Sequence, residues 1–392
     1  MAYRKFYAET IFTGNGYAPE NTVLVTGESG EIIDLINRQE AGDDVQHLDR
    51  LLTPGFVNAH CHLELSHMKG RLAEGTGLVE FLVKVIKERG ASEKTIADAM
   101  AAAEEEMYAF GIVAVGDTCN TAVSAELKTK SRLSWRNFVE VIGFTEMQAN
   151  KRLDDAEQTL QVFLNADQPS TSLTPHAPYS VSKGLFEMIN KRSANQRISI
   201  HNQESMDEDD LYRHGSGGMF NLYRNLSINP SFFMAPGTSS IEAYLPLLDK
   251  ASGLIFVHNT YITETDIRNA LKAGSSQELF FCACPSANRY IENVLPPIEL
   301  LREQQATIVL GTDSYASNWR LNIFEELRTL KSAFPQIPLA EMLQWATFNG
   351  AKALEMDQQI GSFEKGKKPG LVLIKGISGE SIMEDATASR IR

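Results

Sequence analysis

Between Pro54 and His62 the chain reads PGFVNAHCH, a short apolar run that ends in two histidines one residue apart. In an extended strand, residues i and i+2 point to the same side, so the rings of His60 and His62 face one point and Cys61 faces away. A divalent metal needs convergent donors of this kind. Two incidental surface histidines would produce the same letters, so the pair gains meaning only from the sequence around it.

Working outward, seven further apolar runs follow: 113–118, 135–143, 170–178, 197–204, 254–261, 279–286 and 307–314, with the first at 55–62. Amphipathic helical patterns lie between or after them. Residues 78–89 place Glu80, Lys84, Lys87 and Glu88 on one polar face. Residues 93–110 form a second pattern, which stops at Gly111 where a helix C-terminus is expected. Residues 339–354 form a third. Eight strands alternating with helices predict an α/β fold of the (β/α)8 TIM barrel type. A doubly wound sheet is the alternative, but no GxGxxG and no phosphate-binding loop supports it.

Residues 1–53 contain short strand patterns (YRKFYAETIF, TVLVTG, GEIIDLI) broken by Gly, Asn and Pro. After about residue 355, GSFEKGKKPG leads into the apolar run LVLIKG. This tail is expected to return and pair with the N-terminal strands. The division is therefore 1–53 and 356–392 as two parts of a small β-sandwich, and 54–355 as the barrel.

Bulk properties narrow the partners. The formal net charge of -13 argues against a nucleic-acid backbone or an anionic membrane as partner, and leaves a small-molecule substrate. Four cysteines (Cys61, Cys119, Cys282, Cys284) do not make a disulfide framework. The first ten residues carry no apolar signal segment, and no run of 18 apolar residues occurs. The expectation is a soluble, cytoplasmic protein, with a homo-oligomer allowed.

The chemistry gathers at strand ends. Of eight histidines, five (His60, His62, His176, His201, His258) end predicted strands, and Asp313 ends the eighth. All would lie at the C-terminal rim of a barrel, where the active groups of this fold collect. Imidazoles and a carboxylate are donors that suit a divalent metal such as Zn²⁺ or Fe²⁺. Cys282 and Cys284 are in phase on one strand, but read better as small apolar core residues. Ser317-Asn318 reads as a helix N-cap before Leu321–Leu330.

These motifs resemble the amidohydrolase superfamily. PGFVNAHCHLELS is similar to its first-strand signature, HNQE (201–204) to its fifth-strand HxxE, and GTDSYASN (311–318) to its eighth-strand Asp motif. TFNGAKAL followed by IGSFEKGKKPGLVLI resembles the closing helix and returning strand of the cytosine-deaminase-like branch. CPSANRYI departs from the CP-x-SN of many relatives. The resemblance implies one metal ion, Zn²⁺ or Fe²⁺, held by His60, His62, His201 and Asp313. Two-metal members carry a modified lysine at the end of strand four, where this chain has Thr174-Pro175-His176.

The resemblance also implies Glu204 as general acid/base, His258 orienting the attacking water, and Asp313 as ligand and second proton carrier. His176 and Glu64 are the candidates for substrate contact; for Glu64 a salt bridge at the barrel mouth is the competing role. HLELS is similar to aminodeoxyfutalosine deaminases, with S-adenosylhomocysteine and methylthioadenosine deaminases as close kin. The implied activity is an aminohydrolase acting on a 6-aminopurine nucleoside. Hydrolysis of another C–N bond or of a C–Cl bond is the alternative, and an inactive barrel scaffold the alternative of another class.

Overall fold

Among the described residues, eight of the fourteen strands lie in two all-parallel sheets, and each overlaps one of the eight apolar runs. The computed structural model describes residues 3–391. β1 (Tyr3–Ile11), β2 (Thr22–Gly27), β3 (Ile32–Asn37) and β4 (Gln46–Pro54) come first. β5 (Phe56–Cys61), β6 (Ile112–Cys119), β7 (Ser134–Val141) and β8 (Thr171–Pro175) make one four-stranded sheet. β9 (Arg197–Asn202), β10 (Gly253–His258), β11 (Glu278–Ala283) and β12 (Thr307–Leu310) make another. β13 (Leu371–Ser378) and β14 (Ser381–Arg390) close the chain.

Within both four-stranded sheets every pairing is parallel. β5, β6, β9 and β10 are buried along their whole length. Strands covered on both faces carry continuous apolar runs rather than alternation, which is why they stand out in the sequence. The two sheets meet at both edges. The Ser199 N–H donates to Thr174 Oγ1 (2.9 Å) and the His201 N–H to the His176 carbonyl (3.0 Å). On the other side the Thr312 and Asp313 N–H groups both donate to the His60 carbonyl (3.0 and 3.1 Å). The last strand is shorter than expected: pairing stops at Leu310, and Gly311–Ser314 turns inward across the end of β5.

The helix Leu78–Glu88 packs its apolar side inward through Leu78, Phe81 and Val85. The next, Glu93–Ala109, starts at Ser92, whose hydroxyl accepts the Thr95 N–H (3.1 Å), and stops before Gly111 at φ 89°. The pattern expected over 339–354 is interrupted by a π-helical turn, Trp345–Asn349. Among the described residues no helix is long and apolar enough to cross a membrane. All four cysteines are buried and free.

The chain ends form one six-stranded sheet, ordered β14-β13-β4-β1-β2-β3. The returning β13 does pair with the N-terminal part, antiparallel to β4 with Leu371 opposite Pro54. β4 itself is absent from the sequence reading. Its first half is mostly exposed and polar, and it holds no Val, Ile or aromatic residue to mark it. Only Gly55 separates β4 from β5, and a Cβ there would lie 2.2 Å from Val113 Cγ1 and 2.6 Å from the Pro369 carbonyl. Glycine is what lets β4, β6 and the tail meet at that point.

Gly311 has the same role at the other end of β5. A Cβ there would sit 2.8 Å from His60 Cβ and 2.9 Å from Cys282 Sγ. Gly311→Ala is expected to destabilise the fold by about 1–3 kcal/mol through overpacking, read as a lower denaturation midpoint. Gly90→Ala, at a position with nothing within 4 Å, should leave the midpoint unchanged.

Candidate metal centre and active site

Strand ends deliver the polar groups, and their backbones are bent to do so. His60 and His62 leave the end of β5, His201 lies near the end of β9, and His258 ends β10. His258 (φ 74°), Asn259 (φ 55°), Gln203 (φ 45°) and Asp313 (φ 56°) all lie in the left-handed region. Such conformations cost non-glycine residues about 1–3 kcal/mol each and persist only when surroundings hold them. The holding contacts are visible. Ser317 Oγ donates to Asp313 Oδ2 (2.5 Å), and the Asp313 N–H is fixed on His60. The fully buried carboxylate of Glu208 accepts the N–H groups of Gln203 (3.0 Å) and Glu204 (3.4 Å).

The imidazoles converge. His62 Nε2 and His201 Nε2 lie 3.2 Å apart. Asp313 Oδ1 lies 3.6 Å from His60 Nε2 and 3.5 Å from His62 Nε2. His201 Nδ1 is 2.9 Å from the His176 carbonyl. A carbonyl only accepts, so the His201 proton sits on Nδ1 and its Nε2 presents a lone pair to His62. His60 Nε2 is buried and has no hydrogen-bond partner.

These observations test the fit of a cation. Tetrahedral Zn–N and Zn–O bonds of about 2.0–2.1 Å imply donor–donor separations of about 3.3–3.4 Å. The measured 3.2, 3.5 and 3.6 Å bracket that value. Burial first, then neighbouring His60, pushes the His62 pKa down to about 3. Burial likewise lowers His176 and His258 to about 4, and lowers His201. The rings of His62, His176, His201 and His258 are therefore neutral at pH 7, the state in which an imidazole can ligate. The donor set of His60, His62, His201 and Asp313 fits a divalent metal.

Around this cluster, His258 Nε2 is 3.5 Å from Glu204 Oε1, and its Nδ1 faces Asn288 Oδ1 at 3.3 Å. Burial, then the Asp313 and Glu208 carboxylates, raises the Glu204 pKa well above the usual carboxylate range. A cavity opens onto His62, His201, Glu204, His258 and Asp313. Its far walls are apolar, from Phe81, Leu82, Val85, Leu222 and Leu226 among others.

His176 lines the cavity, with Nδ1 against Ser180 Oγ (2.6 Å). Glu64 lies elsewhere. It is buried outside the cavity lining, where its carboxylate accepts the Asn120 N–H and the Thr121 hydroxyl. Those neutral donors, not a cation, are its hydrogen-bond partners.

Ser317 and Asn318 are not the expected N-cap. The helix begins at Ile323, and Asn322 caps it by accepting the Phe324 N–H (2.9 Å). Ser317 holds Asp313, while Asn318 Nδ2 donates to the Thr312 carbonyl (2.7 Å) and to Glu326 Oε1 (2.9 Å). Asn288, Glu208 and Glu326 escaped the sequence reading altogether. Glu208 sits in the acidic stretch ESMDEDD and Glu326 beside Glu325, where solvent exposure was the natural expectation. Asn288 had a usable signal, since it follows directly on the departure noted in CPSANRYI.

With this geometry in hand, comparison with known proteins is informative. The amidohydrolase family model matches residues 51–389. The chain is 27% identical over 328 residues to an adenosine deaminase of Helicobacter pylori, covering 82% of this chain and 78% of that protein. The crystal structure of Helicobacter pylori aminofutalosine deaminase with methylthio-coformycin superposes with a TM-score of 0.81 at 21% identity, over 96% of this chain and 93% of that one. An adenosine deaminase from Xanthomonas campestris with bound zinc gives a TM-score of 0.71 at 23% identity, over 95% and 85%.

Removing one donor should loosen the centre. His60→Ala is expected to lower the bound metal per chain, measured by elemental analysis of purified protein. Unchanged content would remove His60 from the ligand set.

Proposed function

The chain belongs to the amidohydrolase family, and on that premise we propose that it is a metal-dependent aminohydrolase that removes the 6-amino group of an aminopurine nucleoside and releases ammonia. The observation that carries this reading is the placing of Glu204 and His258, 3.5 Å apart, with His62, His201 and Asp313 in the wall of one mostly apolar cavity. The named activities of the relatives fall in the same substrate class.

We assign His60, His62, His201 and Asp313 as ligands of one metal ion, with Zn²⁺ favoured over Fe²⁺ by the zinc-bound relative. When bound, the ion would supply Lewis acidity that lowers the pKa of a water toward about 7. The remaining work falls to side chains. His258, held through Nδ1 by Asn288, turns Nε2 toward Glu204 and orients the attacking water. Glu204, with its raised pKa, carries a proton to the ring nitrogen next to the reacting carbon, which makes that carbon electrophilic. Asp313 takes the second proton and delivers it to the leaving amine. Water and the amine thus exchange, giving the ring carbonyl and ammonia.

The same reading extends to architecture and location. We take the two parallel sheets to close as a (β/α)8 barrel, supported by hydrogen bonds along both seams. We take the six-stranded sheet to fold over its own core as a small β-sandwich. A separate cluster of Phe6, Ile11, Leu24, Leu52, Phe363 and Leu371 supports that. Four free, buried thiols favour a reducing, cytoplasmic setting.

Metal-reconstituted protein should release ammonia from adenosine, 5′-deoxyadenosine or 5′-methylthioadenosine in preference to cytosine and guanine. Release from none of the aminopurine nucleosides would overturn the proposal. Glu204→Gln should keep its metal while kcat falls by about 10²–10⁴-fold. A wild-type rate in that variant would refute the proton-carrier role.

A further inference from the structure

One buried carboxylate beside the centre has no use in the chemistry above. Glu140, near the end of β7, lines the cavity, and its side chain is 2% exposed. Oε2 accepts Asn120 Nδ2 at 2.5 Å. Oε1 is buried and has no hydrogen-bond partner. Its neighbour at 3.6 Å is His201 Nδ1, whose proton is already directed at the His176 carbonyl 2.9 Å away. A buried, unsatisfied acceptor is rare in folded proteins. Glu140 belongs to the cavity wall, so a donor on a ligand packed against that wall would complete it.

The surroundings are built to hold that oxygen still. Glu64 accepts both the Asn120 N–H and the Thr121 hydroxyl, and so fixes the loop. The Arg89 guanidinium, which can only donate, meets Asn120 Oδ1 at 3.5 Å. That contact sets the amide so that Nδ2 faces Glu140. The wall beyond is apolar, with Phe81, Val85, Ile142 and Leu222. A hydroxylated portion of a substrate entering here meets an unclaimed carboxylate oxygen one imidazole's breadth from the metal donors.

We propose that Glu140 Oε1 accepts a hydrogen bond from a 2′- or 3′-hydroxyl of the substrate's sugar, so that the enzyme selects ribonucleosides over 2′- or 3′-deoxynucleosides. This rests on the nucleoside reading above. It adds a specificity residue outside the ligand and proton-transfer set, carried by a Glu64–Asn120–Glu140 relay that also explains why Glu64 is buried away from the cavity. Glu140 approaches His176 and His201 closely enough to be considered as a second metal group, and the test separates that role.

The experiment compares kcat/KM for adenosine, 2′-deoxyadenosine and 3′-deoxyadenosine in wild-type holoenzyme, Glu140→Met and Glu140→Gln, with metal content measured in each. Wild type should prefer adenosine over at least one deoxynucleoside on the order of 10–100-fold, the range for a hydrogen bond to a charged group. Glu140→Met should reduce that ratio to within a few-fold by losing rate on adenosine, with metal unchanged. Glu140→Gln should lower it at least severalfold, and serves if the apolar variant does not fold. Equal wild-type rates on all three nucleosides, a uniform loss in the variants, or a drop in bound metal would each overturn the assignment. Ammonia from none of the three would instead bring down the nucleoside reading, and this inference with it.

Discussion

Two imidazole nitrogens, His62 Nε2 and His201 Nε2, are held 3.2 Å apart in a buried cleft. The carbonyl of His176 fixes the His201 proton on the far nitrogen, so a lone pair points into the gap. His60 Nε2 and Asp313 Oδ1 crowd the same space, and that ring nitrogen has no hydrogen-bond partner there. Donor atoms converging at this spacing favour positive charge between them. The rest of the active end can be understood as scaffolding for that convergence. β5 brings two rings in phase, β9 brings the third, and the Gly311–Ser314 turn folds the carboxylate back across β5.

Holding such a centre needs support that the donors do not provide themselves. Asp313, His258 and Gln203 sit in backbone conformations that their side chains disfavour. Each is tied to a buried polar partner: Ser317 for Asp313, Asn288 for His258, Glu208 for Gln203. Glu326, fully buried, accepts from both the Ser286 N–H (2.8 Å) and Asn318 (2.9 Å), and so links the end of β11 to the Asp313 turn. Strain at the rim is thereby offset by hydrogen bonds one layer behind it.

This layering decides what could be read from the letters alone. The ligand candidates were legible because histidine is scarce and strand periodicity is two, so His60 and His62 declare a shared direction. The eight parallel strands were legible because double-sided burial demands unbroken apolar runs. The second layer was not legible. Ser317 and Asn318 look like helix-capping residues in any sequence, and only the true start of the helix at Ile323 shows them free to hold a loop. Glu208 and Glu326 carry the composition of a solvated face while being wholly buried. Glu140 also went unread, although a lone acid inside the apolar run 135–143 was a usable signal. β4 was lost for the opposite reason, because half of it faces solvent and imitates a loop.

The electrostatics of the cavity point the same way as its geometry. Glu64, Glu140, Glu204 and Asp313 lie buried at or beside the cavity, and Arg89 is the one guanidinium or ammonium lining it among the described residues. Burial, opposed in part by hydrogen bonds, raises Glu64 and raises Glu140 to about 7, while burial and neighbouring carboxylates raise Glu204 well above the usual carboxylate range. Carboxylates crowded in a dry site hold their protons more tightly until a cation enters. A divalent ion at the imidazole cluster would therefore do more than polarise a water. It would ease the repulsion between Asp313 and Glu204 and bring the Glu204 pKa back toward the range where one carboxyl can both take and give a proton. On this account the ligands and the proton carrier are coupled through charge, although no hydrogen bond joins Glu204 to Asp313. A strongly acidic protein then presents its substrate with a nearly neutral, mostly apolar chamber, suited to an uncharged aromatic ring.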